Sequence, residues 1–169
     1  MFRQSLLAAA LALTAPAVLA ATPPKVSIAS TAQLKTPLPF PYDEHADANA
    51  AVTKARALAK AQHKLLLLDL GGNWCGDCRV LAGVIELPEV KAFVDRHYVL
   101  ATVDVGQFDR NLQIPAAYGF TQRLEGVPTL LVIDPRSDRL LDKGHVFALD
   151  NAGTMTPQSL ADFLAMWVK

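Results

Sequence analysis

The chain has 169 residues, 51% of them apolar, with 16 basic side chains matched by 16 acidic ones; this is enough for one domain with a full hydrophobic core. The even charge balance argues against a nucleic-acid binder or a protein held electrostatically on a membrane surface. Two cysteines are too few for a small scaffold stapled by disulfides.

The first stretch, MFRQSLLAAALALTAPAVLA, places one positive charge, Arg3, before an apolar run from Leu6 to about Leu19 that ends in small residues. This predicts a secretory signal over 1–20 that is cut after Ala20, with Val18 and Ala20 three and one places before the cut. The run is shorter than the roughly 20 residues needed to span a bilayer, although an uncleaved anchor is the alternative. No cysteine follows the cut to carry a lipid. Such a signal sends the chain to a compartment where disulfides persist, and we expect the periplasm.

Residues 21–41, ATPPKVSIASTAQLKTPLPFP, hold five of the eleven prolines and no sustained period, which predicts an extended arm leading into a domain over 42–169. Between Asp43 and Gln62, apolar residues at 48, 51, 52, 55, 58 and 59 keep helical spacing, with Lys54, Arg56 and Lys60 off that stripe. KLLLLDL then stops at Gly71-Gly72, as a strand buried on both faces does. Cys78, Leu81, Ala82 and Ile85 follow at i, i+3, i+4 and i+7 of a helix that starts near Cys75.

Pro88 opens a further short helix, PEVKAFVDRH, because its missing N–H is no loss in a first turn. YVLATVD predicts a strand, RNLQIPAAYGF a short helix broken at Pro115, and PTLLVID a strand closed by the turn DPRSD. Leu140-Leu141 and Val146-Phe147 predict a closing hairpin. Thr156-Pro157 starts a last helix with Leu160, Phe163, Leu164 and Trp167 on one face. The order predicts an α/β protein with a central mixed sheet flanked by helices.

Both cysteines lie in GGNWCGDCRV. Residues three apart on a helix are neighbours, so Cys78 reaches back to Cys75 at the helix start. Unpaired N–H groups and the helix dipole there lower a thiol pKa below its usual value of about 8.5. Cys75 is therefore expected to attack, and Cys78, one turn inward, to resolve. Two other readings stay open. A structural crosslink closing so short a loop gains only about 2 kcal/mol. For a zinc or copper site, His45, His63, His97 and His145 show no ligand spacing.

WCGDC after an apolar strand, with GVPT further along, resembles the thioredoxin family from about Leu65 to Asp134 and more weakly through the last helix. LPEVKAFVDRHYVLATVDV also resembles the group that includes the periplasmic C-terminal domain of the bacterial transmembrane disulfide reductase. The resemblance implies a thioredoxin-like fold and a thiol:disulfide oxidoreductase without metal or dissociable cofactor. Its expected partners are disulfide-containing secreted proteins as substrates and a membrane thiol reductase as electron donor. The resemblance also implies roles for single residues. Asp69, six residues before Cys75, matches a buried carboxylate that takes the proton of Cys78, and desolvation among leucines raises the pKa of such a group. Pro128 matches a cis proline that leaves the Val127 backbone free to pair with an extended substrate, and Trp74 offers an apolar contact at the edge.

The sequence departs from the family in several places. Gly76-Asp77 stands between the cysteines where glycine and proline are usual, and the Asp77 charge opposes the thiolate, which predicts a reductant. Gly83 replaces a proline that bends this helix in many relatives. TQRLE, 121–125, lengthens the link before Pro128 and is expected near Cys75. The arm is too short for a dimerisation domain, which predicts a monomer. A redox-inert module that binds peptides along the Pro128 groove, and a copper carrier, are the competing functions.

Overall fold

The computed structural model describes residues 21–169; the predicted signal at 1–20 lies outside the described residues. KLLLLDL supplies β1 (Leu65–Gly71), buried from Leu66 onward because it occupies the middle of the sheet. It pairs in parallel with β2 (Tyr98–Asp104) and antiparallel with β3 (Thr129–Asp134), which in turn pairs antiparallel with β4 (Arg139–Leu140). The order across the sheet is β2-β1-β3-β4. Parallel neighbours require a long crossover. It is made by α2 (Gly76–Ile85) and α3 (Pro88–His97).

Strand alternation divides the core in two. Leu66, Leu68 and Leu70 pack with Val52, Ala55 and Ala59 of α1 (Ala48–Ala61), whose N-cap Asp47 accepts the Ala50 N–H at 3.0 Å. Leu67 packs among Leu81, Val90 and Leu160, on the side of α2, α3 and α5 (Pro157–Ala165). Burying each such leucine stabilises the fold by about 2 kcal/mol. Asp69 has the parity of Leu67, so it faces the α2 side, in register with Thr102 of β2 and Leu130 of β3.

The prolines of the arm suppress regular structure, but the arm is pinned along its length. The Ala21 N–H donates to the Val168 carbonyl at 3.0 Å, and the Val26 N–H to Gln158 Oε1 at 2.9 Å. A single 3-10 turn, Thr31–Gln33, delivers Leu34 into the core. Leu34 and Leu38 lie over Gly83, where an added Cβ would meet them at 3.3 and 3.4 Å. Gly83 thus makes room for the arm, and α2 runs through it without a break. Arg79 donates from Nε to the Pro39 carbonyl (3.0 Å) and from Nη2 to the Leu38 carbonyl (2.8 Å), and its guanidinium stacks 3.9 Å from the Phe40 ring.

The hairpin expected from Leu140-Leu141 and Val146-Phe147 does not form. β4 instead closes a hairpin with β3 across the Asp134 turn, and the chain then leaves the ladder. The cause is Asp142, whose buried carboxylate accepts the Val132 N–H at 3.0 Å in place of a backbone carbonyl; burial pushes its pKa up to about 6. Gly144, with φ of 92°, turns the chain back so that the Val146 carbonyl accepts the Leu130 N–H at 3.0 Å. Pro115 falls inside a one-turn α4 (Gln113–Ala116), short as its sequence predicts.

Candidate active site

β1 ends at Gly71, and the Cys75 N–H bonds back to the Gly72 carbonyl at 3.0 Å, turning the chain into α2. Cys75 is the N-cap of that helix, with extended backbone at φ −83° and ψ 116°, and its Sγ accepts the Cys78 N–H at 3.0 Å. The two cysteines form a disulfide, with Cα atoms 5.3 Å apart. A sulfur in the N-cap position takes one of the helix's unpaired N–H groups and sits at the positive end of its dipole. Both effects stabilise a thiolate once the bond is reduced. Cys75 keeps 5% of its surface exposed, whereas Cys78 is fully buried.

The outer side of the site gathers the expected residues. The Val127–Pro128 peptide bond is cis, and the Val127 carbonyl oxygen lies 3.4 Å from Cys75 Sγ. Trp74 is 49% exposed beside the disulfide, and its indole N–H donates to the Gly106 carbonyl at 2.7 Å. Its ring is 5.9 Å from that of Phe108, over which the Arg123 guanidinium stacks at 4.1 Å. This chain of contacts ties the 121–125 segment to the rim of the site, with Leu124 buried as its anchor. Gly76 faces open space. Asp77 is held in place, its Oδ1 accepting the Gly153 N–H at 2.7 Å. Asp77 therefore packs α2 against the Ala152–Thr154 turn in addition to bringing charge to the helix start.

On the inner side, Asp69 is buried, and desolvation pushes its carboxyl up to about 7. The Tyr42 hydroxyl donates to Asp69 Oδ1 at 2.8 Å, a bond that favours the ionised form but only partly offsets burial. Burial and the neighbouring carboxylate push the Tyr42 phenol above its ordinary value, so it remains a proton donor. Asn73 clasps the Tyr42 backbone, accepting its N–H at 3.1 Å and donating to its carbonyl at 2.8 Å. Tyr42 was missed by sequence reasoning. It stands at the end of a proline-rich run, 27 residues from its partner, and no spacing rule connects a lone tyrosine to a strand carboxylate at that distance.

Among the described residues, no three His, Cys, Asp or Glu side chains are grouped to hold a metal ion, and no helix is long and apolar enough to cross a membrane.

A family model described as thioredoxin-like matches residues 47–135. Among solved structures, a disulphide isomerase from Xylella fastidiosa Temecula1 shares 40% identity, covering 76% of this chain and 96% of its own, with a TM-score of 0.68. A protein of unknown function from Pseudomonas aeruginosa is more distant, at 21% identity over 71% of this chain and 83% of its own, with a TM-score of 0.39. The oxidoreductase DsbH stands at 19% identity over 68% and 94% of the two chains, with a TM-score of 0.40. No curated protein sequence matches.

Proposed function

The chain belongs to the thioredoxin-like family and is a thiol:disulfide oxidoreductase; from that premise we propose that it is exported and reduces or exchanges disulfides in periplasmic proteins. The observation that carries the site assignment is the asymmetry of the pair: Cys75 caps α2 beside the Val127 carbonyl with 5% of its surface open, and Cys78 is sealed behind it.

The Cys75 thiolate attacks one sulfur of a substrate disulfide. That S–S bond breaks, a mixed disulfide forms, and one substrate thiolate leaves and is protonated by water. Cys78 then gives its proton to Asp69 and attacks Cys75 Sγ, which releases the second substrate sulfur as a thiolate that water protonates. Two electrons have moved to the substrate, and the protein is left with the Cys75–Cys78 disulfide, the form present in the structure. A membrane thiol reductase supplies the dithiol that restores it, so the cycle needs no dissociable cofactor. An extended substrate segment pairs with the Val127 backbone beside Pro128, with Trp74 as apolar contact and Gly76-Asp77 setting the potential. The chain works as a monomer. Its likeness to a disulphide isomerase favours exchange as a second reading, in which a substrate thiol and not Cys78 breaks the mixed disulfide.

Insulin reduction, glutathione-driven oxidation and refolding of a scrambled disulfide protein test the activity and its direction together. Activity is expected in at least one assay and is expected to disappear in Cys75→Ser. A chain inert in all three would be a binding module and would overturn the reading. Export predicts that the secreted form begins at Ala21 on N-terminal sequencing, and light scattering after gel filtration tests the monomer.

A further inference from the structure

Three elements meet at one point behind the disulfide. Asp69 and Gly71 lie on the same face of β1, about 7 Å apart along the strand. Gly71 has no side chain, and its place is taken: an added Cβ would lie 2.8 Å from Cys78 Sγ and would collide with the Tyr42 hydroxyl. The resolving sulfur and the phenol therefore share the space over Gly71, and from there the phenol turns its O–H to Asp69 Oδ1 at 2.8 Å. The segment that carries the ring is held at two points. Asn73 clasps its backbone from the turn before Cys75, and Arg79, the residue after Cys78, grips the carbonyls of Leu38 and Pro39 just upstream.

We propose that Tyr42 is a positioning residue for the resolving step: its hydroxyl fixes the Asp69 carboxylate and sets the pH at which that carboxylate takes the proton of Cys78. The inference rests on Asp69 being the base. In the step, the proton passes from the Cys78 thiol to Asp69 as the Cys78 sulfur bonds to Cys75 and the substrate thiolate departs, while Tyr42 keeps its own proton. A hydroxyl donor stabilises the ionised carboxylate against the desolvation that raises its pKa. The titratable group bonded to Asp69 is Tyr42 from the arm; Cys78 of α2 lies over Gly71, two residues along the strand, and in register across the sheet stand Thr102 and Leu130. Asp104, at the end of β2, acts on Tyr42 and lies 3.6 Å from Arg110.

The test is single-turnover resolution in the full chain, starting from a mixed disulfide of Cys75 with thionitrobenzoate and followed by rapid quench from about pH 5 to about 9. The wild-type rate is expected to rise through an inflection near the Asp69 pKa of about 7. Tyr42→Phe should move that inflection to higher pH by about one unit, because the carboxylate loses its donor. Asp69→Asn should abolish the inflection, and adding Tyr42→Phe to it should change the profile no further. An inflection that survives Asp69→Asn would remove Asp69 as the base. If Asp69→Asn removes the inflection but Tyr42→Phe leaves its position untouched, the Tyr42 proposal alone is overturned. Should Tyr42→Phe fail to fold, 3-fluorotyrosine at position 42, a stronger donor, is expected to shift the inflection to lower pH, and no shift would count against the proposal.

Discussion

Two sulfurs joined in one disulfide sit in opposite surroundings. Cys75, with 5% of its surface open, lies between a half-exposed tryptophan and the Val127 carbonyl, while Cys78 is fully enclosed beside Gly71 and Tyr42. The rim joins a helix cap to loops that come from 32 and 52 residues further along the chain. The floor is closely packed from the arm, β1 and α2. In the proposed mechanism, the chemistry that meets a substrate disulfide lies on the rim, and the chemistry that controls one proton lies where water is excluded. The two regions should therefore respond differently to substitution: the rim in activity, the floor in stability and pH dependence.

The largest expected effect separates the two cysteines. Cys75→Ser removes the attacking thiolate and should lower insulin reduction by about a thousandfold or more. Cys78→Ser leaves attack possible and should accumulate mixed disulfides on Cys75, visible as mass adducts that dithiothreitol removes. If adducts accumulated on Cys78 in the Cys75→Ser protein as well, the asymmetry of rim and floor would be lost.

Next comes the floor's dependence on pH. The Asp69 carboxyl is raised from 3.8 to about 7 in the folded chain. Between those values the folded state binds more protons than the unfolded one, so this group's contribution to stability is full below about pH 4 and is lost as pH rises through about 7. Asp69→Asn removes the decline. Denaturant unfolding should show the variant gaining on the wild type with rising pH, by up to about 4 kcal/mol across this window, while its resolving step slows. Asp142 shifts in the same direction but is present in both proteins, so it cancels from the difference. A constant gap from pH 4 to 8 would contradict the carboxyl's burial.

Two glycines sharpen the contrast at smaller scale. Gly71→Ala pushes a methyl group into Cys78 Sγ and the Tyr42 hydroxyl, and overpacking of this kind destabilises by about 2 kcal/mol, or a fall in Tm of about 6 °C for a chain this size. Gly76→Ala enters open space on the rim and should stay within about 0.5 kcal/mol of the wild type. Thermal unfolding of the oxidised proteins compares them directly.

The cysteine pair was largely legible in the sequence, because its logic is local. A buried apolar run ending in Gly-Gly, two cysteines one helical turn apart and an apolar stripe at i, i+3, i+4 and i+7 each follow from periodicity, and β1 and α2 form where those patterns place them. The roles of Pro128 and Asp69 came from resemblance and not from spacing. The floor was half visible: Asp69 among leucines, but neither Tyr42 nor the packing of the arm. Proline-rich segments carry no periodic signal, so the grip of Arg79 on Leu38 and Pro39 and the fit of Leu34 against Gly83 are tertiary facts. The misplaced hairpin has the same origin. The Asp142 side chain takes a ladder position that a pattern of apolar pairs assigns to backbone.

The smallest effect tests whether the rim's charge matters once its packing is held fixed. Asp77 does two things: it accepts the Gly153 N–H at 2.7 Å, and it places a negative charge two residues from the attacking sulfur. Asp77→Asn can keep the first through its amide oxygen and removes the second. At roughly 7 Å in a dielectric of about 80, one unit charge acts on another with about 0.6 kcal/mol, or about 0.4 of a pKa unit. The Cys75 thiolate should form at a pH lower by about that amount, read by the pH dependence of iodoacetamide alkylation. Because the thiolate belongs to the reduced form, stabilising it favours reduction, and the potential measured against glutathione should rise by about 10 mV. A much larger shift would mean that the substitution had loosened α2 from the Ala152–Thr154 turn, and an unchanged thermal midpoint would then be the wrong companion result. A shift of the opposite sign, with stability intact, would show that the dipoles around the helix start, and not this carboxylate, govern the thiolate.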